Sequence, residues 1–249
     1  MVANELQCLK DQYADKWLDL KHLKDSLQAE TEEGIDQLLT IQTLLELYLT
    51  YSAATYKLLF DNEGTQGFIP VFRATFESFL NVKYFLWNDG ISKEKKAKAY
   101  RFCEAKNFLN TTDYLYYSGK NQLTDKLESN LLGESLKKIE EERVRRLVYL
   151  EERRGSSEAV EFKRLGDWQQ SKRKISWYTL YTGNFSLKEL SKYVGMSEFY
   201  QYFYTYLSIT SHGVGLFKSE TETVGEVVQL GILRYLDYFM GHVLAGLRA

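Results

Sequence analysis

The feature that most constrains this chain is its near lack of proline, with one in 249 residues. Proline breaks the interior of a helix because it has no amide donor and its ring clashes with the preceding turn. A long chain with one proline therefore favours long, unbroken helices. Apolar residues also recur at spacings of three and four, which is the helical period. We predict an all-α fold, built as a multi-helix bundle.

Helix boundaries follow from the same periodicity and from capping residues. The apolar pattern predicts helices over about 3–28, 35–60, 69–87 and 92–117, with Gly34 between the first two. Two sequences match the capping box, in which paired side chains bond to the backbone amides that begin a helix. They are Ser186 with Glu189, and Thr223 with Glu226; a further helix is predicted to begin at Ser197.

We predict a single helical domain over residues 1–249 with two appendages. These are an N-terminal helix, 1–30, and a charge-rich helical insertion, 120–172. The insertion contains KKIEEERVRRLVYLEERR, whose mixed charges at helical spacing indicate a solvated helix with i,i+4 ion pairs. A face that binds RNA or a partner protein stays open for this run. Near 175–183, the alternation in ISWYTLYTG allows a short strand or hairpin.

Charge and composition exclude several classes of function. A net charge of -2 gives no overall basic surface for nucleic acid, although local patches stay open. The apolar stretch GILRYLDYFMGHVLAGL is interrupted by Arg234, Asp237 and His242, so we predict no membrane span. Cys8 and Cys103 lack metal-ligand spacing, and the charged N-terminus is unlike a secretory signal. We expect a soluble, cytoplasmic protein with no cofactor and no metal site.

A pair of opposite charges lies in the most apolar helix, which reads IPVFRATFESFLNVKYFLW. Arg73 and Glu77 are four residues apart, and we expect at least one to point into the interior, where a charge must be paired. One interpretation is an ion pair that fixes helix register. The other is a binding or catalytic site, because Arg grips phosphate or carboxylate and a desolvated Glu acts as acid or base.

A second candidate site is a polar ridge on the helix that begins at Ser197. Steps of four residues connect Tyr200, Tyr204, Ser208 and His212, and such steps follow one inclined row on a helix surface. Aromatic core packing with satisfied hydroxyl groups explains this pattern, and so does a functional site.

These residues also carry a resemblance to a known family. RATFE, SWYTLYTGNFSLKEL and YQYFYTYLSITSH resemble motifs of the helical, mostly bacterial family catalogued as domain of unknown function 5677. The matching positions are Arg73, Glu77, Trp177, Gly183, Leu187, Leu190, Tyr200, Tyr204, Ser208 and His212. They span about 68–213. The family has no agreed chemistry, so the resemblance implies a helical fold and a shortlist of residues but no reaction.

The leading functional hypothesis is an interhelical polar pocket that binds an anionic or nucleotide-like ligand in a bacterial stress or phage-defence module. The predicted ligand contacts are Arg73, Trp177, Tyr200, Tyr204 and Ser208, with Glu77 orienting Arg73 or a ligand hydroxyl. On this hypothesis the protein binds a small anion or RNA.

Two alternatives stay open. One is a metal-independent ribonuclease, with catalytic candidates His212 as general acid/base, Arg73 as stabiliser of the phosphate transition state, and Glu77. Arg234 and His242 approach an Arg-x4-6-His ribonuclease motif, but eight residues turn them about 80° apart on a helix, so they are not expected to converge. The other alternative is a non-catalytic structural or interaction protein, and the final helix also allows a homodimer.

Overall fold

The computed structural model describes residues 2–29, 31, 34–60, 68–113, 133–168, 175–184, 186–201 and 226–249. Its helices are α1 Val2–Ser26, α2 Gly34–Phe60, α3 Phe68–Leu86, α4 Lys93–Thr112, α5 Gly133–Glu152, α6 Ser157–Trp168, α7 Thr179–Thr182, α8 Leu187–Tyr193 and α9 Glu226–Arg248. A helical turn also covers 197–201. No strand occurs in these ranges, which confirms the predicted all-α fold. None of the described helices is long and apolar enough to cross a membrane.

Local sequence signals explain several helix ends. The single proline, Pro70, lies in the first turn of α3, where its missing amide is not needed. At the start of α8, the amide of Glu189 donates to the hydroxyl oxygen of Ser186 over 3.2 Å, which confirms the predicted cap. Gly183 ends α7 with a φ of 70°, a left-handed conformation that costs glycine little. The second predicted capping residue, Thr223, lies outside the described residues.

Two compact units make up the chain. The first contains residues 1–94 and 186–249, and the second contains residues 95–185. The N-terminal helix belongs to the core of the first unit, because Leu20 of α1 is completely buried and Tyr13 nearly so. The single-domain organisation with two appendages stays a prediction.

In the first unit, α1 and α2 are antiparallel, α2 and α3 are antiparallel, and α9 runs parallel to both α1 and α3. Two contacts set the direction of each pair. For α1 and α2 they are Tyr13–Ser52 and Lys24–Glu46, and for α2 and α3 they are Thr55–Thr75 and Tyr48–Phe79. For α1 and α9 they are Glu5–Arg234 and Asp19–Arg248, and for α3 and α9 they are Phe79–Phe239 and Leu86–Gly246. The parallel pair α3 and α9 therefore places residues near the ends of both helices side by side.

Aromatic rings fill the seam between α3 and α9. Phe79 is completely buried and stacks on Phe239 with ring centroids 4.4 Å apart, and Phe76 contacts the same ring at 5.6 Å. Nearer the C-terminal ends, a Cβ placed on Gly246 would lie 3.1 Å from Cδ1 of Leu86. A glycine at this position therefore permits the close approach of the two helices.

Pairs of hydroxyl groups form hydrogen bonds between helices in the interior of the first unit. The hydroxyl oxygens of Tyr13 and Ser52 are 2.6 Å apart, and those of Thr55 and Thr75 are 2.8 Å apart. All four residues are buried. Burial raises the pKa of Tyr13 well above its usual value, against the opposing effect of the Ser52 hydrogen bond. Each pair satisfies polar groups that would be costly to bury alone.

In the second unit, Arg146 of α5 is the centre of a charge network. Its guanidinium forks onto the carboxylate of Glu104 on α4, with Nη2 to Oε1 at 2.9 Å, and its Nε donates to Glu142 over 2.6 Å. It also lies 5.5 Å from the ring centre of Phe108. Burial acts to lower the pKa of Arg146, but the two carboxylates outweigh burial and raise it. The positive charge of Arg146 is thus compensated within the unit.

The predicted helix with local ion pairs is confirmed in the described part of the charge-rich segment. Within α5, Arg145 pairs with Glu142 at i,i+3 and Arg146 pairs with the same carboxylate at i,i+4. One face differs from the solvated helix that the charges predict, because Arg146 also turns to Glu104 and Arg143 pairs with Asp113. This face of α5 therefore forms ion pairs with residues outside the helix as well as within it.

The strand or hairpin allowed near 175–183 is wrong. Residues 179–182 form the short helix α7, which begins after a turn in which the amide of Thr179 donates to the carbonyl of Ser176 over 2.9 Å. Four consecutive residues, 177–180, are buried. A half-buried strand would alternate buried and exposed side chains, whereas a short helical turn enclosed on several sides buries neighbours in sequence.

Candidate functional site

Arg73 and Glu77 lie one turn apart on α3, where Nε of Arg73 donates to Oε1 of Glu77 over 3.0 Å. Their side chains are 31% and 34% exposed. The prediction that at least one of them points into the interior is therefore wrong. The pair shares one side of α3 with residues that are also not buried, namely Pro70, Val71, Ala74, Ser78 and Asn81. An apolar helix can thus be central in its bundle and still present one strip to solvent.

This partial exposure decides what the pair can do chemically. A solvent-borne ligand can reach both side chains, and the planar guanidinium of arginine suits bidentate binding of phosphate or carboxylate. Glu77 holds Nε of Arg73 and so orients its fork. The position of Glu77 is fixed in turn by α3, where its carbonyl accepts from Nδ2 of Asn81 over 2.8 Å. The arrangement is an oriented arginine at the edge of a helical core.

Of the predicted polar ridge, the structure describes Tyr200. Its amide donates to the carbonyl of Met196 over 3.0 Å, and its side chain is half-buried. The preceding residue, Phe199, stacks on Tyr238 with centroids 5.1 Å apart, which ties this helical turn to α9. The remaining ridge residues, Tyr204, Ser208 and His212, lie outside the described residues. A pocket shared by Arg73, Glu77 and His212 therefore stays a prediction.

Trp177 lies in the second unit and is 7% exposed. Its ring meets Tyr100 edge-on with centroids 5.5 Å apart and contacts Tyr178 at 6.3 Å. Burial and the charge of Glu104 raise the pKa of Tyr100 to about 12. Trp177 is thus part of the aromatic core of its unit, and its role as a ligand contact stays a prediction.

A comparison with known families now decides the chain's relationship. The match to the family of unknown function DUF5677 covers residues 37–219, nearly three quarters of the chain. The chain belongs to this family. The match confirms the resemblance that the motifs indicate, and its range contains every predicted site residue. No curated protein and no solved structure matches the chain.

The DUF5677 match ends before α9, which carries two residues considered for a ribonuclease motif. Arg234 forms an ion pair with Glu5 of α1, whereas the ring of His242 contacts Tyr238 at 4.4 Å. His242 also lies close enough to Lys83 of α3 for that charge to lower its pKa. Arg234 thus faces α1 and His242 faces α3, so the two side chains do not converge, as their separation of eight residues predicts.

Sequence reasoning missed the other basic residue of α3. Lys83 occurs in the same apolar helix as Arg73, and a third charge in such a helix was itself a signal. Its nearness to His242 could not be predicted, because that contact depends on how α3 and α9 pack.

A cavity of about 360 Å³ opens at the end of the first unit where α2 begins and α3 and α9 end. Its described lining is mostly apolar with a few polar groups, and includes Leu27, Thr31, Gln37, Phe85, Lys93 and Leu247. None of the described site residues predicted from the sequence lines it. The cavity is therefore a separate feature of this DUF5677 chain.

One buried carboxylate in the second unit is stabilised by hydrogen bonds from neighbouring hydroxyl groups. Glu158 is buried at the start of α6 and accepts from the hydroxyl of Tyr181 over 2.7 Å and from Ser157 over 3.0 Å. Burial acts to raise the pKa of Glu158, but these hydrogen bonds outweigh it and lower the pKa. Among the described residues, no group of three His, Cys, Asp or Glu could hold a metal ion.

Proposed function

We propose that the first unit of this DUF5677 chain binds an anionic, nucleotide-like ligand at Arg73 and Glu77. The observation that supports the proposal is that this ion pair sits in a mostly apolar helix and stays about a third exposed. Arg73 holds the anion through its guanidinium, and Glu77 keeps the guanidinium oriented. Tyr200, Tyr204, Ser208 and His212 supply ring and hydroxyl contacts in this proposal.

The setting belongs to the same proposal. A reducing cytoplasm fits two cysteines that form no disulfide, Cys8 and Cys103. The bacterial setting rests on the family resemblance, and a stress or phage-defence module is proposed with it. Neither is needed for the binding experiment.

A structural role for the pair is the competing function, and one observation favours it. An i,i+4 ion pair on one helix contributes to helix stability without any ligand. The two functions differ in what an arginine variant loses, since a structural pair affects unfolding and a binding site affects ligand affinity.

The test compares Arg73→Gln with Arg145→Gln, which removes an arginine from an i,i+3 pair on the exposed face of α5. Binding of adenosine 5′-monophosphate is measured by calorimetry, and the melting temperature by circular dichroism. We expect Arg73→Gln to weaken binding about tenfold or more, the loss expected for a charged hydrogen bond, with a melting temperature close to that of Arg145→Gln. Unchanged binding in Arg73→Gln would reject the site.

The ribonuclease alternative is tested with the same protein. Cleavage of a short single-stranded RNA in the presence of a chelator is measured for the parent chain, Arg73→Gln and His212→Ala. Cleavage that disappears in both variants while their melting temperatures stay normal would favour the enzyme over the binding protein.

A further inference from the structure

Lys83 and His242 lie at the same level of the seam between α3 and α9. The two parallel helices touch at Phe79 and Phe239, and again at Leu86 and Gly246. Lys83 and His242 each lie between these two contacts, about one helical turn from either. At this level the charge of Lys83 acts on the imidazole of His242.

Neither base has an acidic partner among the residues that the structure describes. The nearby acid of α9, Asp237, accepts from Lys16 of α1 through both carboxylate oxygens, at 2.7 and 2.8 Å. After α3, Asp89 accepts from the hydroxyl of Tyr193 over 3.0 Å. These two carboxylates are therefore engaged with other residues.

The surroundings make the two positive charges costly. Burial and the charge of Lys83 lower the pKa of His242, and burial lowers the pKa of Lys83. An anion placed between them would reverse both effects, since an opposite charge within a few ångströms favours the protonated forms.

Aromatic rings flank the two bases. The Nζ of Lys83 lies 5.4 Å from the ring centre of Trp87, and His242 meets Tyr238 edge-on with centroids 4.4 Å apart. Trp87 is 38% exposed and Tyr238 is 41% exposed, so the cluster opens to solvent. These rings leave the bases reachable while they exclude water from part of the surroundings.

We propose that Lys83 and His242, between Trp87 and Tyr238, form a binding site for a phosphate monoester. The charge decides the class of ligand, because a phosphate monoester carries close to two negative charges at neutral pH and a carboxylate carries one. A protonated lysine and a protonated histidine match the dianion and both donate hydrogen bonds to its oxygens.

This site is separate from Arg73 and Glu77. Lys83 follows Arg73 by ten positions of α3, which is about 15 Å along a helix axis. The Lys83 site also includes a residue of α9, beyond the range of the family match. It stands whether or not the arginine pair binds a ligand.

The experiment follows the imidazole proton resonance of His242 by NMR during a pH titration of the full chain. His242→Gln assigns the resonance among those of the three histidines. The titration is run in chloride, in inorganic phosphate and in adenosine 5′-monophosphate, at constant ionic strength. We expect both phosphate compounds to raise the apparent pKa of His242 by about 0.5 or more relative to chloride, as a bound opposite charge does.

A matched control exists on α1, where Lys21 lies 5.6 Å from the ring centre of Trp17 with the same i,i+4 spacing as Lys83 and Trp87. We expect Lys83→Gln to raise the pKa of His242 in chloride and to remove most of its response to phosphate. Lys21→Gln should leave that response unchanged, and Lys83→Arg should retain it.

Either of two results would overturn the proposal. One is a His242 titration that is the same in phosphate and in chloride. The other is a phosphate response that Lys83→Gln and Lys21→Gln reduce equally. Should Lys83→Gln unfold, Lys83→Arg decides, because it keeps the charge and must keep the phosphate response.

Discussion

The cationic sites of the two units differ in how their charges are compensated. In the second unit, Arg146 is held by two carboxylates and packs beside Phe108. In the first unit, Lys83 and His242 lie at the same level of the seam between α3 and α9, and neither has an acidic partner among the described residues. Charges that are paired with opposite charges, like Arg146, stabilise the fold. Charges without such a partner, like Lys83 and His242, lower the stability of the fold unless a ligand neutralises them. The difference separates a structural network from a candidate binding site.

The largest effect should come from breaking the compensated network. Arg146→Met leaves Glu104 and Glu142 without their shared cation, and the Arg146 side chain is only 22% exposed. Because Glu104 is 41% exposed, we expect the free energy of unfolding to fall by about 1–2 kcal/mol, less than the loss for a fully buried pair. Chemical denaturation measures the change.

Arg154→Met is the control for that prediction. Arg154 pairs with Glu151 at i,i+3, but its side chain is 82% exposed. Exposed pairs contribute little, so the control should change stability by less than about 0.5 kcal/mol. Equal losses in the two variants would contradict the structural role assigned to Arg146.

A smaller effect is expected at the half-buried pair on α3. Glu77→Gln removes the partner of Arg73 but keeps the shape of the side chain. Because the pair is a third exposed, we expect the free energy of unfolding to fall by about 0.5–1 kcal/mol, measured by denaturation at pH 7. A loss as large as that of Arg146→Met would show that the pair is an architectural element like the second-unit network.

The smallest effect concerns pH. The pKa of His242 is lower in the folded chain than its usual value near 6.5, so below that pH the unfolded chain takes up the proton first. The contribution of His242 to stability is therefore present above about pH 6.5 and is lost as the pH falls. We expect the free energy of unfolding to decrease between pH 7 and pH 5 in the parent chain.

Two variants and one additive check this pH dependence. His242→Gln should remove the part that the imidazole contributes, and Lys83→Gln should reduce it by raising the folded-state pKa. Inorganic phosphate should also reduce it, since the bound anion favours the protonated imidazole. A parent chain whose stability has the same pH dependence as that of His242→Gln would contradict this account of the uncompensated site.

The sequence predicts the helices well and the surroundings of their charges poorly. Gly34, the capping residue Ser186 and the apolar period are local signals, and the described helix boundaries follow them closely. The pairing of Arg73 with Glu77 is also local, because four residues make one helical turn. Their exposure was mispredicted, since it depends on which strip of α3 the neighbouring helices leave uncovered.

The remaining differences have the same origin. The alternation in ISWYTLYTG is too short to distinguish a strand from a buried helical turn. Lys83 and His242 are far apart in sequence, and only the parallel packing of α3 and α9 brings them together. A single sequence contains the residues of such a site but not the contact that makes it one.

The close approach at Gly246 bears on the spacing of the two helices that carry the proposed phosphate site. Leu86 follows Lys83 by three residues and Gly246 follows His242 by four, so the helix contact lies about one turn beyond the two bases. A methyl group on Gly246 would have to displace the Leu86 side chain by a few tenths of an ångström. The distance between α3 and α9 beside the proposed site is thus set in part by a residue that has no side chain of its own.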